Sequence, residues 1–158
     1  MGKRKIAMML ASAMMLTALG GSVEALAEAA SAGEDYEVTD LLGRTVTIPA
    51  KTSSYACIGP GCLRLYCYVA KEEELTGIEN MEKESGPGGR PYAMTMKNFE
   101  NLSVIGPGGP GNAPDAELLF ASEPDVIFTM YNSEPAAVDE LQEKTGIPVV
   151  ALSYGDYE

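Results

Sequence analysis

Apolar and polar positions change period several times along the chain, and each change marks an element. In EVTDLLGRTVTIP, Glu37 to Pro49, the residues Val38, Val46 and Ile48 alternate with polar neighbours, and Gly43 lies between the two runs. A period of two broken by a glycine predicts a β-hairpin. Tyr55–Ile58 reads as a short strand, which Gly59-Pro60-Gly61 turns into a helix. There Leu63, Tyr66, Cys67 and Ala70 recur at i, i+3, i+4 and i+7 on one face, while Arg64 projects elsewhere. Glu72–Glu74 reads as a solvated end and Leu75–Ile78 as the next strand. From Glu79 to Glu100 the period fails. Gly86, Pro87, Gly88, Gly89 and Pro91 predict a long irregular loop, of the kind that carries function when it persists in a compact domain.

The most regular unit runs from Leu102 to Phe128. A strand, Ser103–Ile105, enters the Gly/Pro loop Gly106–Gly111; a helix starts at Pro114, and the strand Asp125–Phe128 follows. Pro114 suits a first helical turn, and Asp115 and Glu117 complement the positive end of the helix dipole. Leu118, Leu119 and Ala121 supply its apolar side, and Pro124 ends it. A further helix, Glu134 to Thr145, takes Ser133 as N-cap and Ala137, Val138 and Leu141 as inner face. Gly146 and Pro148 stop it before the last strand, Val149–Leu152. Strands alternating with helices behind a hairpin predict a three-layer α/β/α sandwich with a short, mostly parallel sheet. In such sheets ligands sit over the loops that follow the strands.

Composition changes this picture at the N-terminus. The chain has 158 residues and a net charge of −12, enough for one ordinary domain. Lys3, Arg4 and Lys5 precede an apolar run from Ile6 to Leu19, and Ala25-Leu26-Ala27 offers a small-residue cleavage site. Residues 1–27 therefore read as a secretory signal peptide cleaved near Ala27, residues 28–36 as a flexible leader, and residues 37–158 as the folded lobe. Loss of Lys3, Arg4, Lys5 and Glu24 leaves eight basic against 22 acidic residues, or −14. So acidic a chain is poorly suited to nucleic acid, whose affinity comes from Lys and Arg on phosphates, and equally to an anionic membrane surface. Cys57, Cys62 and Cys67 do not have zinc spacing, and the chain has no histidine to complete a site. They allow one disulfide plus one thiol, or two buried free thiols with the third near the surface.

Three patches then resemble a known family. The hairpin Asp40-x-x-Gly43-Arg44-x-Val46-x-Ile48-Pro49, the run from Glu117 to Pro124-Asp125-Val126-Ile127, and Leu141-Gln142-x-x-Thr145-Gly146-Ile147-Pro148-Val149-Val150 keep family order and approximate spacing. Together they resemble the substrate-binding proteins of ABC importers for iron-siderophores, haem and cobalamin. The resemblance implies two α/β lobes joined by a long helix, with ligand held between them. This chain stops where that helix would start, so it is expected to be the N-terminal lobe only. The implied protein is a monomeric, extracytoplasmic, non-enzymatic receptor with no catalytic residue, no cofactor and no resident metal. It captures an iron complex or similar metal chelate and delivers it to a membrane permease. The resemblance also implies that Glu117 docks into permease arginines, beside its simpler role at the helix dipole.

The candidate ligand residues lie in the loops. Gly59, Pro60, Gly61, Gly106, Gly108 and Asn112 would let backbone approach a ligand, or simply form tight turns into helices. Arg90 and Tyr92 in the long loop, and Tyr131 after a strand, suit anionic oxygen and hard ferric ligands, or serve as rim residues. Two other patterns carry less. Gly106-x-Gly108-x-x-Gly111 matches a dinucleotide fingerprint, but Pro107 and Pro110 remove N–H groups that a pyrophosphate would need. Met94-x-Met96 has soft ligands for copper(I), yet most methionines lie in the first 15 residues. An exported hydrolase or oxidoreductase fragment is the competing class; it lacks a histidine base and a G-x-S-x-G elbow. A non-transport sensor or adhesion lobe would share the fold.

Overall fold

The computed structural model describes residues 33–131 and 134–154. The signal-peptide reading of residues 1–27 and the N-cap assigned to Ser133 fall outside these residues. The hairpin forms as β1 (Tyr36–Thr39) and β2 (Thr45–Ile48), antiparallel, with Tyr36 opposite Ile48 and Thr39 opposite Thr45. Its turn is held by one side chain. Asp40 Oδ1 accepts from the Leu42 and Arg44 N–H groups at 3.0 and 2.9 Å. Asp40 Oδ2 accepts from the Ala151 N–H at 3.2 Å and pairs with Arg44 Nη1 at 2.8 Å.

Five parallel strands follow: β3 (Tyr55–Ile58), β4 (Gly77–Ile78), β5 (Ser103–Val104), β6 (Val126–Thr129) and β7 (Val149–Ala151). One ladder runs β3-β6-β7 and another pairs β4 with β5. A Tyr55–Leu75 bridge and the Thr76 N–H on Tyr55 O, 2.9 Å, join the ladders. The spatial order is therefore β5-β4-β3-β6-β7. The chain leaves β3 toward one edge and returns to β6 to build the other, so β3 and β6 flank a topological switch point.

The helices are α1 (Cys62–Val69), α2 (Asn80–Ser85), α3 (Pro91–Thr95), α4 (Ala116–Ala121) and α5 (Pro135–Thr145). Alternation along β3 assigns the faces. Ala56 and Ile58 pack with Ile127, Val149, Leu119, Val138 and Leu141, so α4 and α5 cover that side. Cys57 packs with Leu63, Tyr66, Ala93 and Phe99, so α1 and α3 cover the other, and the hairpin closes over Val126 and Val150. The three-layer sandwich with its N-terminal hairpin is the architecture the hydrophobic pattern predicts.

Two expectations are corrected. Residues 79–100 are not an irregular loop; they form α2, α3 and a short turn of helix at Phe99–Asn101. Glycine and proline punctuate these helices instead of abolishing them: Gly86 ends α2 at φ 65°, and Pro91 opens α3 at a position where no N–H is needed. The helix expected from Pro114 starts at Ala116. Asp115 is its N-cap, accepting from the N–H groups of Glu117 and Leu118 at 3.1 and 3.0 Å, which an aspartate does better than any first-turn residue. All three cysteines are free thiols, Cys57 and Cys62 buried and Cys67 half-buried. Burial pushes the Cys57 thiol well up and that of Cys67 up to about 11.

Candidate functional site

The site grows from the end of β3. Gly59 has φ +89°, and a Cβ there would lie 2.8 Å from the Met130 carbonyl carbon after β6. Only a glycine lets the two strand ends meet so closely. The Gly59 N–H donates to Glu79 Oε1 at 3.1 Å, which ties the loop after β3 to the end of β4. Burial, then the nearby Glu82, raises the Glu79 carboxyl above its ordinary range, and the Gly59 N–H partly opposes this. From Gly59 the chain turns outward through Pro60 and Gly61 into α1.

Over that turn lies an open cleft of about 470 Å³, lined by Pro60, Gly61, Arg64, Tyr68, Gly89, Arg90, Pro91, Tyr92 and Tyr154. Its wall on the α3 side is clipped in place by one carboxylate. Glu82, itself buried, accepts from Arg90 Nη1 at 2.8 Å and from the Tyr92 hydroxyl at 3.0 Å. Burial first, and then Glu82, push the Tyr92 phenol up to about 12. On the α1 side Arg64 Nη2 donates to the Tyr154 hydroxyl at 2.6 Å, with the guanidinium 5.2 Å from the Tyr154 ring centre. The Tyr154 hydroxyl in turn donates to the Gly61 carbonyl at 3.2 Å. The cleft therefore offers two guanidiniums and three phenols, a set suited to anionic oxygen and to flat or aromatic groups.

The structure brings Pro60, Gly61, Arg90 and Tyr92 together in this cleft, with Gly59 buried beneath them. It does not bring Gly106, Gly108, Asn112 or Tyr131 there. Gly106 and Gly108 are buried. The Gly106 carbonyl accepts from the Asn80 N–H at 2.8 Å, and Gly108 packs against the Glu79 side chain. Asn112 bonds back to the Gly108 carbonyl at 2.6 Å. Tyr131 lines a separate hollow with Ala113, Pro114 and Lys144. Arg64, Tyr68, Gly89, Pro91 and Tyr154 are lining residues that sequence reasoning does not name as ligand candidates. The signals existed: Arg64 and Tyr68 are four apart on a helix, and Tyr154 follows a strand as Pro60 and Gly61 do. Glu117 is exposed on α4, beside exposed Leu118 and Phe120. Among the described residues no group of three His, Cys, Asp or Glu is placed to hold a metal ion.

No family model matches the sequence, and no curated protein does. Solved structures do. A periplasmic solute-binding protein from Veillonella parvula is 21% identical with a TM-score of 0.61, over 78% of this chain and 36% of that one. The molybdate periplasmic binding protein MolA of Haemophilus influenzae is 27% identical at a TM-score of 0.60, over the same shares. The haem-binding protein HmuT is 14% identical at a TM-score of 0.53, over 75% of this chain and 34% of that one. The fold is that of one lobe of a two-lobed solute-binding protein. The chain spans about 36% of the length of the first two of these neighbours.

Proposed function

We propose that this chain is the N-terminal lobe of an extracytoplasmic substrate-binding protein of an ABC importer. It captures a small ligand, an iron complex or similar metal chelate, in the cleft over Pro60, Gly61, Arg64, Arg90, Tyr92 and Tyr154. The observation that carries the reading is the position of that cleft. It opens beside the switch point between β3 and β6, where parallel sheets of this order hold their ligands. Likeness to MolA and HmuT, which bind molybdate and haem, supports the class. The lean toward iron comes from this chain's own arginines and phenols, which suit hard, anionic complexes.

The mechanism needs no bond-making. A monomer, exported with loss of residues 1–27, binds ligand on this lobe, and a second lobe closes over it. The loaded receptor then docks on its permease. Exposed Glu117 on α4, with Leu118 and Phe120 around it, supports a charged contact ringed by apolar area, the pattern of a docking anchor. Equilibrium dialysis of the protein against ferric citrate, haemin and ferrioxamine B, with iron quantified on each side, tests the reading. Saturable retention of at least one complex at one per chain supports it. Retention of none contradicts the iron-chelate reading, and chemical conversion of one contradicts capture without chemistry.

A further inference from the structure

The two guanidiniums of the cleft are not equivalent. Arg90 is neutralised: its Nη1 sits 2.8 Å from Glu82 Oε2 and also donates to the Glu82 carbonyl at 3.3 Å. Arg64 is exposed, and among the described residues no carboxylate pairs with it. Its partners are the hydroxyl and ring face of Tyr154. One of the five guanidinium N–H donors is engaged by that hydroxyl, and the side chain that carries the other four lines the cleft. Of the three arginines among the described residues, Arg44 and Arg90 pair with carboxylates and Arg64 does not.

We propose that Arg64 is the residue that selects the ligand's charge, and that the ligand presents an anionic oxygen group, a carboxylate or an oxyanion, to it. Arg90 is a positioning residue that holds the opposite wall. This rests on the reading of the cleft as a solute site and adds which residue reads which chemistry. Three features converge on Arg64. Its helix starts directly after the Gly59–Gly61 turn, so Arg64 lies in the first turn of α1 and lines the cleft together with Pro60 and Gly61. Tyr154 holds its plane from one side, which pre-orders a long side chain before ligand arrives. The free donors form a planar fork that matches two oxygens of one carboxylate or oxyanion. The Tyr92 hydroxyl, committed to Glu82, faces the same space from the far wall.

The test is a titration of the 15N-labelled full chain with molybdate and with citrate, followed at the Arg64 Nε–H and the Gly61 amide. Arg64→Gln, Arg64→Lys and, as a surface-charge control, Lys51→Gln are compared, with circular dichroism to establish folding. Saturable shifts at Arg64 that Arg64→Gln weakens at least about tenfold, Arg64→Lys less, and Lys51→Gln not at all are the expected result. The arm that binds tighter separates oxyanion from carboxylate. Equal anion affinity in Arg64→Gln, shifts that follow Arg90 while Arg64 stays still, or no saturable shift with either anion overturns the assignment. Ferrioxamine B, a cationic iron complex, separates the two readings. A cleft that binds it and neither anion keeps solute capture and loses the role of Arg64. A cleft that binds molybdate through Arg64 but retains no iron complex loses the iron reading alone.

Discussion

Glu82 and Arg90 form a clip across the Gly86–Gly89 turn, Oε2 to Nη1 at 2.8 Å, and the Tyr92 hydroxyl closes it at 3.0 Å. The clip turns a glycine- and proline-rich stretch into one wall of the cleft. Glu82→Ala would strand a guanidinium and a phenol that are both partly buried. We expect a loss of about 2–3 kcal/mol in urea unfolding, together with weaker ligand retention. Glu82→Gln keeps an acceptor for Tyr92 and should recover part of both. A Glu82→Ala protein with wild-type stability would show that the clip does not hold the wall.

The hairpin depends on a second buried carboxylate. Asp40 accepts from three backbone N–H groups and pairs with Arg44, which also donates to the Val149 carbonyl at 3.0 Å. Asp40→Ala should cost about 2–4 kcal/mol, because it leaves the Ala151, Leu42 and Arg44 backbone N–H groups without their acceptor, while the guanidinium keeps Asp139 and the Val149 carbonyl. Thermal unfolding of the variant checks this, and a drop in Tm of only a degree or two would contradict it.

Gly59→Ala should fail for backbone reasons. Its φ of +89° is foreign to alanine, and the new Cβ would meet the Met130 carbonyl carbon at 2.8 Å. Strain of this kind costs about 1–3 kcal/mol before the clash is counted. A crystal structure or amide spectrum should show the ends of β3 and β6 moved apart. Gly86→Ala is the comparison, since a Cβ there meets open space and only φ is wrong.

Glu79 gives a pH dependence with a definite sign. Burial raises its folded pKa, so the native state binds a proton more readily than the unfolded chain. Its favourable contribution is fully present below the unfolded value of about 4.3 and is lost as pH rises through the folded pKa. Glu79→Gln keeps an oxygen for the Gly59 N–H but removes that dependence. The Tm difference, variant minus wild type, should therefore increase from pH 4 to pH 8. A difference that is flat or falls with pH would mean that desolvation of Glu79 is not the governing effect.

The fold was legible wherever one side of an element is buried. The i, i+3, i+4 face of α1 and the alternation in the hairpin survive, with Ala70 falling just past the helix as its C-cap, because Leu63, Tyr66, Val46 and Ile48 each have one burial environment. The segment from 79 to 100 was not legible, because its helices have six and five residues and are too short to show a period. Their stability comes from contacts at a distance in sequence: Lys83 Nζ on the Leu102 carbonyl at 2.7 Å, Phe99 in the core.

The site was half legible for a related reason. Pro60 and Gly61 follow from the rule that ligands lie after strands, Arg90 and Tyr92 from their side-chain chemistry in the segment 79–100, and all four line the cleft. The same rule also names Gly106 and Gly108, whose carbonyls are taken by the Asn80 N–H and the Asn112 side chain. Nothing local distinguishes a loop that faces a ligand from one that faces a neighbouring helix. Arg64 lies off the core face of α1 and lines the cleft, so the apolar period that finds the helix is silent about it.

The most direct measurement is native mass spectrometry of the protein recovered from the extracytoplasmic fraction of its own host. We predict an N-terminus near Glu28, a mass larger than this lobe, and one intact metal chelate that leaves unchanged on unfolding. A ligand-free species, or one recovered with the two halves of a cleaved substrate, would contradict capture and delivery as the work of this cleft.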